Sequence, residues 1–154
     1  MKKLFCIVLL IVMAASLALA GCGEKETKPN LLIMITPPLE WAGQPRFGTY
    51  YTPFLFARGA AESELFTDIT IYFGPEAADM AAEGALEAMG APMYPDQENL
   101  AEVARNYIDE LGIEFVVPAG PINQHGTIVA DFITVIDDAT FAQIVADADT
   151  TVVY

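Results

Sequence analysis

Short apolar runs recur along the chain and predict the strands of a parallel sheet. The run from Leu31 to Ile35 is apolar at every position and stops before Pro37 and Pro38. A strand covered on both faces of a parallel sheet shows this pattern, because it has no polar side. Further strands are predicted at 68–73, 115–117, 133–136 and 151–154.

Helical patterns lie between these strands. The clearest follows Asp96, which is predicted to cap it, and ends near Gly112, a residue that suits a helix C-terminus. Thr52 as N-cap and Pro53 at the first helical position predict the start of another helix, which runs to about residue 64. More helices are predicted at 75–89, 129–132 and 138–148, and loops at 37–51 and 118–127.

Alternation of strands and helices decides the fold class. A helix between two strands of one sheet forms a crossover connection, which makes the strands parallel. Residues 31–154 are therefore predicted to form an α/β fold, a three-layer α/β/α sandwich with a mainly parallel sheet of about five strands.

The first 22 residues show the features of a bacterial lipoprotein signal peptide in the right order. Two lysines precede an uncharged apolar run at 4–20, and Leu19-Ala20-Gly21-Cys22 resembles a lipobox. The resemblance implies cleavage before Cys22 and a diacylglycerol on its sulfur. An uncleaved signal anchor is the alternative, although the run is shorter than the about 20 residues that a spanning helix needs. Both readings place the domain outside the cytoplasm, at the cell membrane or the outer membrane.

Charge limits the partners of the exported part. Residues 22–30 are predicted to be a flexible tether, and removal of 1–21 leaves five basic against 21 acidic residues, a net charge of −16. Such a surface repels phosphate backbones, so no nucleic-acid partner is expected. The predicted contact with a membrane is the lipid on Cys22.

Cysteine usage limits the chemistry. Cys6 and Cys22 are the only cysteines in the sequence. Cys6 leaves with the signal peptide and the Cys22 sulfur becomes a thioether, so the mature domain is predicted to hold no free thiol and no disulfide.

Four segments together resemble the DsrE/DsrF-like family, small three-layer α/β proteins linked to sulfur relay. They are NLLIMIT, FARGAAESELFTDITIYF, LAEVARNYIDELGIEFVVP and TFAQIVADADTTVVY, which span residues 30–154 in this order. The family's sulfur-handling members carry a Cys just after the strand that follows the long helix, and Pro118 stands at that position. Persulfide chemistry needs a thiolate, so the resemblance implies a homo- or hetero-oligomeric binding or assembly component rather than a sulfur transferase.

Two predicted loops hold the candidate site residues. Parallel strands place the loops at 37–51 and 118–127 over the same edge of the sheet, where ligands bind in such folds. A pocket there would make the chain a small-ligand-binding protein or an enzyme, with a histidine as general base. Its residues would be Trp41, Arg46, Tyr50, Tyr51 and His125. A solvated histidine, and a first loop that packs on the domain or makes a subunit interface, remain open alternatives.

Other chemistry has little support in the sequence. The acidic pairs at 137–138 and 147–149 lack the ordered ligand spacing of a calcium loop, and Asp138 is predicted to cap the last helix. A single histidine without cysteines cannot form an ordinary zinc site. Nucleotide-binding glycine loops and the serine-hydrolase elbow are missing from the sequence. No metal or cofactor is therefore predicted.

Overall fold

The computed structural model of the chain describes residues 28–154, except Leu39, Ala42, Gly43 and Arg46. It describes only the backbone of residues 40, 41, 44, 45 and 47–49. The predicted signal peptide, Cys22 and most of the predicted tether thus lie outside the described residues.

Seven strands, four α-helices and one 3-10 helix make up the described part of the chain. The strands are β1 (Leu31–Ile35), β2 (Glu40–Trp41), β3 (Gln44–Pro45), β4 (Ile69–Phe73), β5 (Glu114–Pro118), β6 (Thr134–Ile136) and β7 (Thr150–Val153). The helices are α1 (Phe47–Glu62), the 3-10 helix (Pro75–Ala81), α2 (Leu100–Leu111), α3 (Ala119–His125) and α4 (Asp138–Asp147).

Five strands form one parallel sheet in the order β6-β5-β4-β1-β7. In its centre Ile33 of β1 pairs with Ile71 of β4 on one side and with Val152 of β7 on the other. β2 and β3 form a separate two-stranded antiparallel ribbon. The predicted fold class is confirmed, and so are the five strands of the main sheet to within a residue or two.

The two faces of the sheet are covered unequally. Alternate strand residues such as Ile33, Ile71 and Phe115 are buried on the first face, in one cluster with apolar residues of α1, α2, α3 and the 3-10 helix. The second face is covered by α4, whose Phe141 ring stacks on Tyr72 with centroids 4.4 Å apart. α4 has no fully buried residue of its own. Most of the hydrophobic stabilisation therefore comes from the first face.

The predicted start of the first helix is wrong. α1 begins at Phe47 rather than at Pro53, so Pro53 lies inside the helix and leaves one hydrogen bond unmade. Tyr50, one turn earlier, is fully buried, and its hydroxyl donates to the carbonyl of Pro37 at 3.2 Å. Burial of a tyrosine at this position offsets the cost of the internal proline.

Two other predicted helices are wrong for one shared reason. The helix predicted at 75–89 stops at Ala81 as a 3-10 helix, and residues 129–132 form no helix at all. Ala82 instead forms an isolated antiparallel bridge with Val129. The amide of Glu83 donates to the carbonyl of Ile128 at 2.8 Å. Both segments thus use their backbone groups on each other, and local periodicity does not reveal such a long-range pairing.

Helix caps are displaced by a few residues from the predicted ones. Asn99 rather than Asp96 caps α2, where its Oδ1 accepts from the amide of Glu102 at 3.0 Å. Asp137 rather than Asp138 caps α4, and the hydrogen bond from the Thr140 amide lowers the pKa of Asp137. In both cases the residue that can reach the third amide of the helix is the one that caps it. Gly112 ends α2 at φ 66°, as predicted.

The predicted loop at 118–127 is wrong over most of its length, because Ala119–His125 form α3. Gly126 ends this helix at φ 64°, a conformation that favours glycine. Within residues 28–154 as described, no helix has both the length and the apolar character needed to cross a membrane.

Candidate functional site

Pro118 closes β5 at the carboxyl edge of the sheet. It is buried, pairs with Ile136 of β6 and is the N-cap residue of α3 at φ −72°. Proline provides neither a nucleophilic side chain nor a backbone N–H. The residue therefore acts as a joint between strand and helix and offers no reactive group.

Neighbouring strand ends at this edge are tied to one another. The Gly74 amide after β4 donates to the carbonyl of Ile35 at 2.7 Å, and a Cβ at Gly74 would lie only 3.1 Å from that oxygen. The hydroxyl of Thr36 donates to the carbonyl of Tyr154 at 2.7 Å. Polar groups at these strand ends are thus used to hold the sheet together.

The residues predicted to form a site in the first loop differ in how far they are described and in where they lie. Arg46 lies outside the described residues, and Trp41 is described only as backbone within β2. Tyr50 is buried in the core, whereas Tyr51 is half-buried and donates from its hydroxyl to the carbonyl of Gly90. The two tyrosines therefore hold helix α1 against the chain on either side of it.

His125 lies at the last position of α3 and is exposed. A helix of seven residues is about 10 Å long, so its last residue stands about that far from the strand end where the helix begins. The structure places Tyr50 in the core, Tyr51 against Gly90 and His125 in solvent. None of these three side chains lines the cavities of about 440, 260 and 320 Å³ found among the described residues.

A different cavity opens between α1 and α2, and we call it the α1–α2 cleft. Its volume is about 440 Å³. Tyr94 and Tyr107 form its buried floor, with exposed fractions of 2% and 5%. The residues of its walls that carry charge are Arg58 and Glu62 on α1, Asp96 on the preceding turn, and Glu110 on α2.

Local folding of residues 90–99 brings Tyr94 to this cleft. Gly90 and Asn99 form an antiparallel bridge that closes the segment. Within it the Tyr94 amide donates to the carbonyl of Ala91 at 2.9 Å and the Gln97 amide donates to the carbonyl of Tyr94 at 3.1 Å. Two successive turns therefore direct Tyr94 inward before α2 begins.

The two tyrosine hydroxyls form a hydrogen-bonded chain with α1. The Tyr107 hydroxyl lies 3.0 Å from the carbonyl oxygen of Phe54 and 3.1 Å from the Tyr94 hydroxyl. A carbonyl oxygen can only accept, and Tyr107 has one hydroxyl proton. Tyr107 therefore donates to Phe54, and Tyr94 donates to Tyr107.

Burial keeps both hydroxyls protonated. It is the largest cause that raises the pKa of Tyr107, and the hydrogen bond with Tyr94 raises it further. Burial also raises the pKa of Tyr94. At neutral pH the floor of the α1–α2 cleft is therefore uncharged.

The raised pKa of Tyr107 makes stability depend on pH in alkaline solution. The unfolded chain releases the tyrosine proton near pH 10, whereas the folded chain retains it. Stability is then fully present below about pH 10 and falls as the pH rises further. We expect the Tm of the protein to fall more steeply between pH 9.5 and 11 than that of Tyr107→Phe. Thermal unfolding followed by circular dichroism measures the Tm at each pH. An equal fall of Tm with pH in the two proteins would contradict this expectation.

A second polar cluster fixes α2 to the segment before β6. Arg105 forms ion pairs with Asp131 at 2.8 Å and with Glu87 at 3.8 Å. Its guanidinium lies 4.2 Å from the centroid of the Phe132 ring. These partly exposed contacts already satisfy the arginine, so we interpret the cluster as structural.

Metal binding has no support in the described part of the chain. No group of three or more histidine, cysteine, aspartate or glutamate side chains there could hold an ion.

Comparison with known proteins places the chain by its fold. No family model matches it, and no curated protein matches it. The ychN protein from E. coli, of known crystal structure, is similar at a TM-score of 0.59 and 12% identity. The similarity covers 82% of this chain and 99% of that one. At this identity the similarity shows the fold alone, an α/β sandwich with a parallel five-stranded sheet.

The α1–α2 cleft could not be predicted from the sequence. Tyr107 belongs to the periodic apolar face of α2, and there it looks like any other core residue. Tyr94 lies in a break between elements, so no pattern relates it to Tyr107. The one usable signal was Arg58, a basic residue in a chain with few of them.

Proposed function

We propose that this chain is a lipid-anchored binding or assembly component of DsrE-like fold, which works outside the cytoplasm and does not transfer sulfur. The observation that carries the proposal is the buried Pro118 at the end of β5. The resemblance to the sulfur-handling proteins places their reactive cysteine at this position.

Chemistry supports the negative part of the proposal. Sulfur relay moves a sulfane sulfur between thiolates through persulfides. The sequence contains no cysteine after Cys22, and the sulfur of Cys22 carries the lipid in the mature protein that we propose. A persulfide therefore has no place to form on the domain.

The lipobox-like sequence and the charge of the domain support the location. A diacylglycerol provides two acyl chains, which is enough for stable anchoring. The net charge of −16 after cleavage disfavours contact of the domain with anionic headgroups. The tether would then hold the domain near the membrane, while its negative charge would keep it from lying on the lipid surface.

The last three residues of the predicted tether, 28–30, are hydrogen-bonded to the domain. The amide of Thr67 donates to the carbonyl of Pro29 at 3.0 Å, and its hydroxyl donates to that of Lys28 at 2.9 Å. The amide of Asn30 donates to Asp149 at 2.8 Å. In the anchored protein that we propose, residues 22–27 separate the lipid from residue 28, and six residues span at most about 20 Å.

A sulfur-uptake experiment tests the proposed function. The mature protein, purified in detergent, is incubated with glutathione persulfide and examined by intact-protein mass spectrometry. We expect no bound sulfane sulfur. Gly120→Cys is the matched control, since this exposed position on α3 follows the strand end closely and has room for a Cβ.

Each result has a defined meaning. Uptake by Gly120→Cys but not by the unchanged protein supports the proposal, because the assay then detects a thiol at this edge of the sheet. Sulfane sulfur on the unchanged protein overturns it.

A further inference from the structure

We propose that the α1–α2 cleft binds a small organic amine through the N–H groups of its ammonium. This inference assigns a class of ligand to the proposed binding component, and it therefore rests on the proposed function. Amine binding and sulfur uptake are measured separately, so either idea can fail alone.

The cleft has the size and construction of a ligand site. Its volume of about 440 Å³ lies within the range of about 300–1,000 Å³ that small-molecule sites occupy. Its floor is rigid, because Tyr94 and Tyr107 are buried and their hydroxyls are linked to the Phe54 carbonyl. Its rim is polar and open to solvent.

The hydroxyl oxygen of Tyr94, on the floor of the cleft, can still accept a hydrogen bond. The chain from Tyr94 through Tyr107 to Phe54 uses both tyrosine protons. The Tyr94 oxygen is then left with an acceptor site and no further proton to donate. Among the described residues no side chain donates to it from the cleft side. The Tyr94 hydroxyl already has its hydrogen bond with Tyr107, and a ligand with N–H donors can add a second one to this oxygen, whereas an anion or an ether cannot.

Charge on the walls indicates a cationic donor. The one basic side chain, Arg58, is already paired with Glu62 at 2.7 Å. Asp96 and Glu110 have no ion pair among the described residues. Their carboxylates accept hydrogen bonds and favour an ammonium over a neutral ligand.

The ends of the two helices add to the same potential. α1 and α2 both finish beside the cleft, and neither has a basic residue in its last turn. Glu62 and Glu110 occupy those turns instead, although a helix C-terminus favours positive charge. A bound ammonium would compensate the negative potential of these helix ends and glutamates. Among the described residues, no free basic side chain lies nearby to do so.

Calorimetric titration with putrescine tests the proposal. We expect saturable binding to the mature protein at about 0.15 M salt, where long-range attraction is screened. Butanediol has the same carbon chain without charge. Tetramethylammonium carries one positive charge, against two on putrescine, and has no N–H donor. Neither is expected to bind in the same concentration range.

Three variants locate the site. Tyr94→Phe removes the acceptor oxygen and Glu110→Gln removes one wall charge, and each is expected to weaken putrescine binding by roughly tenfold. Asp109→Asn is the matched control, because it changes the same charge one residue away on α2 and does not line the cleft. It is expected to leave the affinity within about twofold, since its charge is screened. The Tm of each variant confirms that it is folded.

Several results would overturn the inference. Absence of saturable putrescine binding to the unchanged protein rejects it. Equal weakening by Asp109→Asn and Glu110→Gln shows attraction to the acidic surface as a whole. Tetramethylammonium that binds as tightly as putrescine shows that N–H donation to Tyr94 is not used.

Discussion

Replacing Cys22 with serine is expected to abolish incorporation of labelled fatty acid into the protein when it is expressed in a bacterium. A serine hydroxyl does not form the thioether that a lipobox cysteine forms. Signal removal that depends on lipid should fail as well, so the variant should retain residues 1–21. Fluorography of labelled cells and the intact mass of the purified protein measure the two effects.

Cys6→Ser is the matched control for this experiment. Cys6 lies in the segment that the proposed cleavage removes, so its loss should change neither the label nor the mature mass. A third form, with a secretory signal cleaved without lipid in place of residues 1–22, should be released in soluble form. Labelling of Cys22→Ser at the level of the unchanged protein would contradict the proposed anchor.

Phe54→Ala is expected to cause the largest loss of stability among single substitutions in α1. Phe54 is fully buried, with its ring 5.6 Å from that of Phe115 and 6.1 Å from that of Tyr107. It therefore joins α1 to the sheet and to α2 at once. Removal of a buried phenylalanine costs about 3–5 kcal/mol, a large part of the about 5–15 kcal/mol by which domains are stable. Urea unfolding followed by fluorescence or circular dichroism measures the loss.

Phe56→Ala provides the comparison within the same helix. Phe56 is 39% exposed, and its ring lies 6.3 Å from that of Tyr154 between centroids. Its removal is expected to cost less than about 1 kcal/mol. If the two substitutions destabilised the protein equally, the packing described here for α1 would be wrong.

Strands were predictable because their signal is local. The run from Leu31 to Ile35 has to be covered on both sides, and it lies in the centre of the sheet between β4 and β7. The strand predicted at 115–117 is also continuously apolar, and it lies in the sheet as part of β5. Continuous apolar character over five residues leaves few other ways to remove this surface from water.

Helix boundaries were less predictable because distant residues decide them. Pro53 favours a helix start, but burial of Tyr50 extends α1 by almost two turns before it. The segment after Ala81 contains enough alanine for a helix, yet its backbone pairs with residues 128–130. Neither competing interaction is visible in a window of the sequence.

The candidate site was the least predictable part. The family resemblance indicated the carboxyl edge of the sheet as the site. At this edge Pro118 is buried, and the polar groups after β1 and β4 form hydrogen bonds within the domain. The α1–α2 cleft depends on Phe54, Tyr94 and Tyr107, which come from three segments and meet only in the folded chain. A hydrogen-bonded chain between residues this far apart has no sequence signature.

If Cys22 carries the proposed lipid, the bonds that hold residues 28–30 to the domain would also set the orientation of the domain at the membrane. Lys28 lies 3.9 Å from Glu64, just beyond the end of α1, so the chain enters beside the helix ends that border the cleft. With so short a linker to the proposed lipid, the opening of the cleft would face the bilayer. The strand ends around Pro118 would face away from it. Amines that gather near anionic lipid would then meet the cleft first, while the outward edge would be left for contact with other proteins.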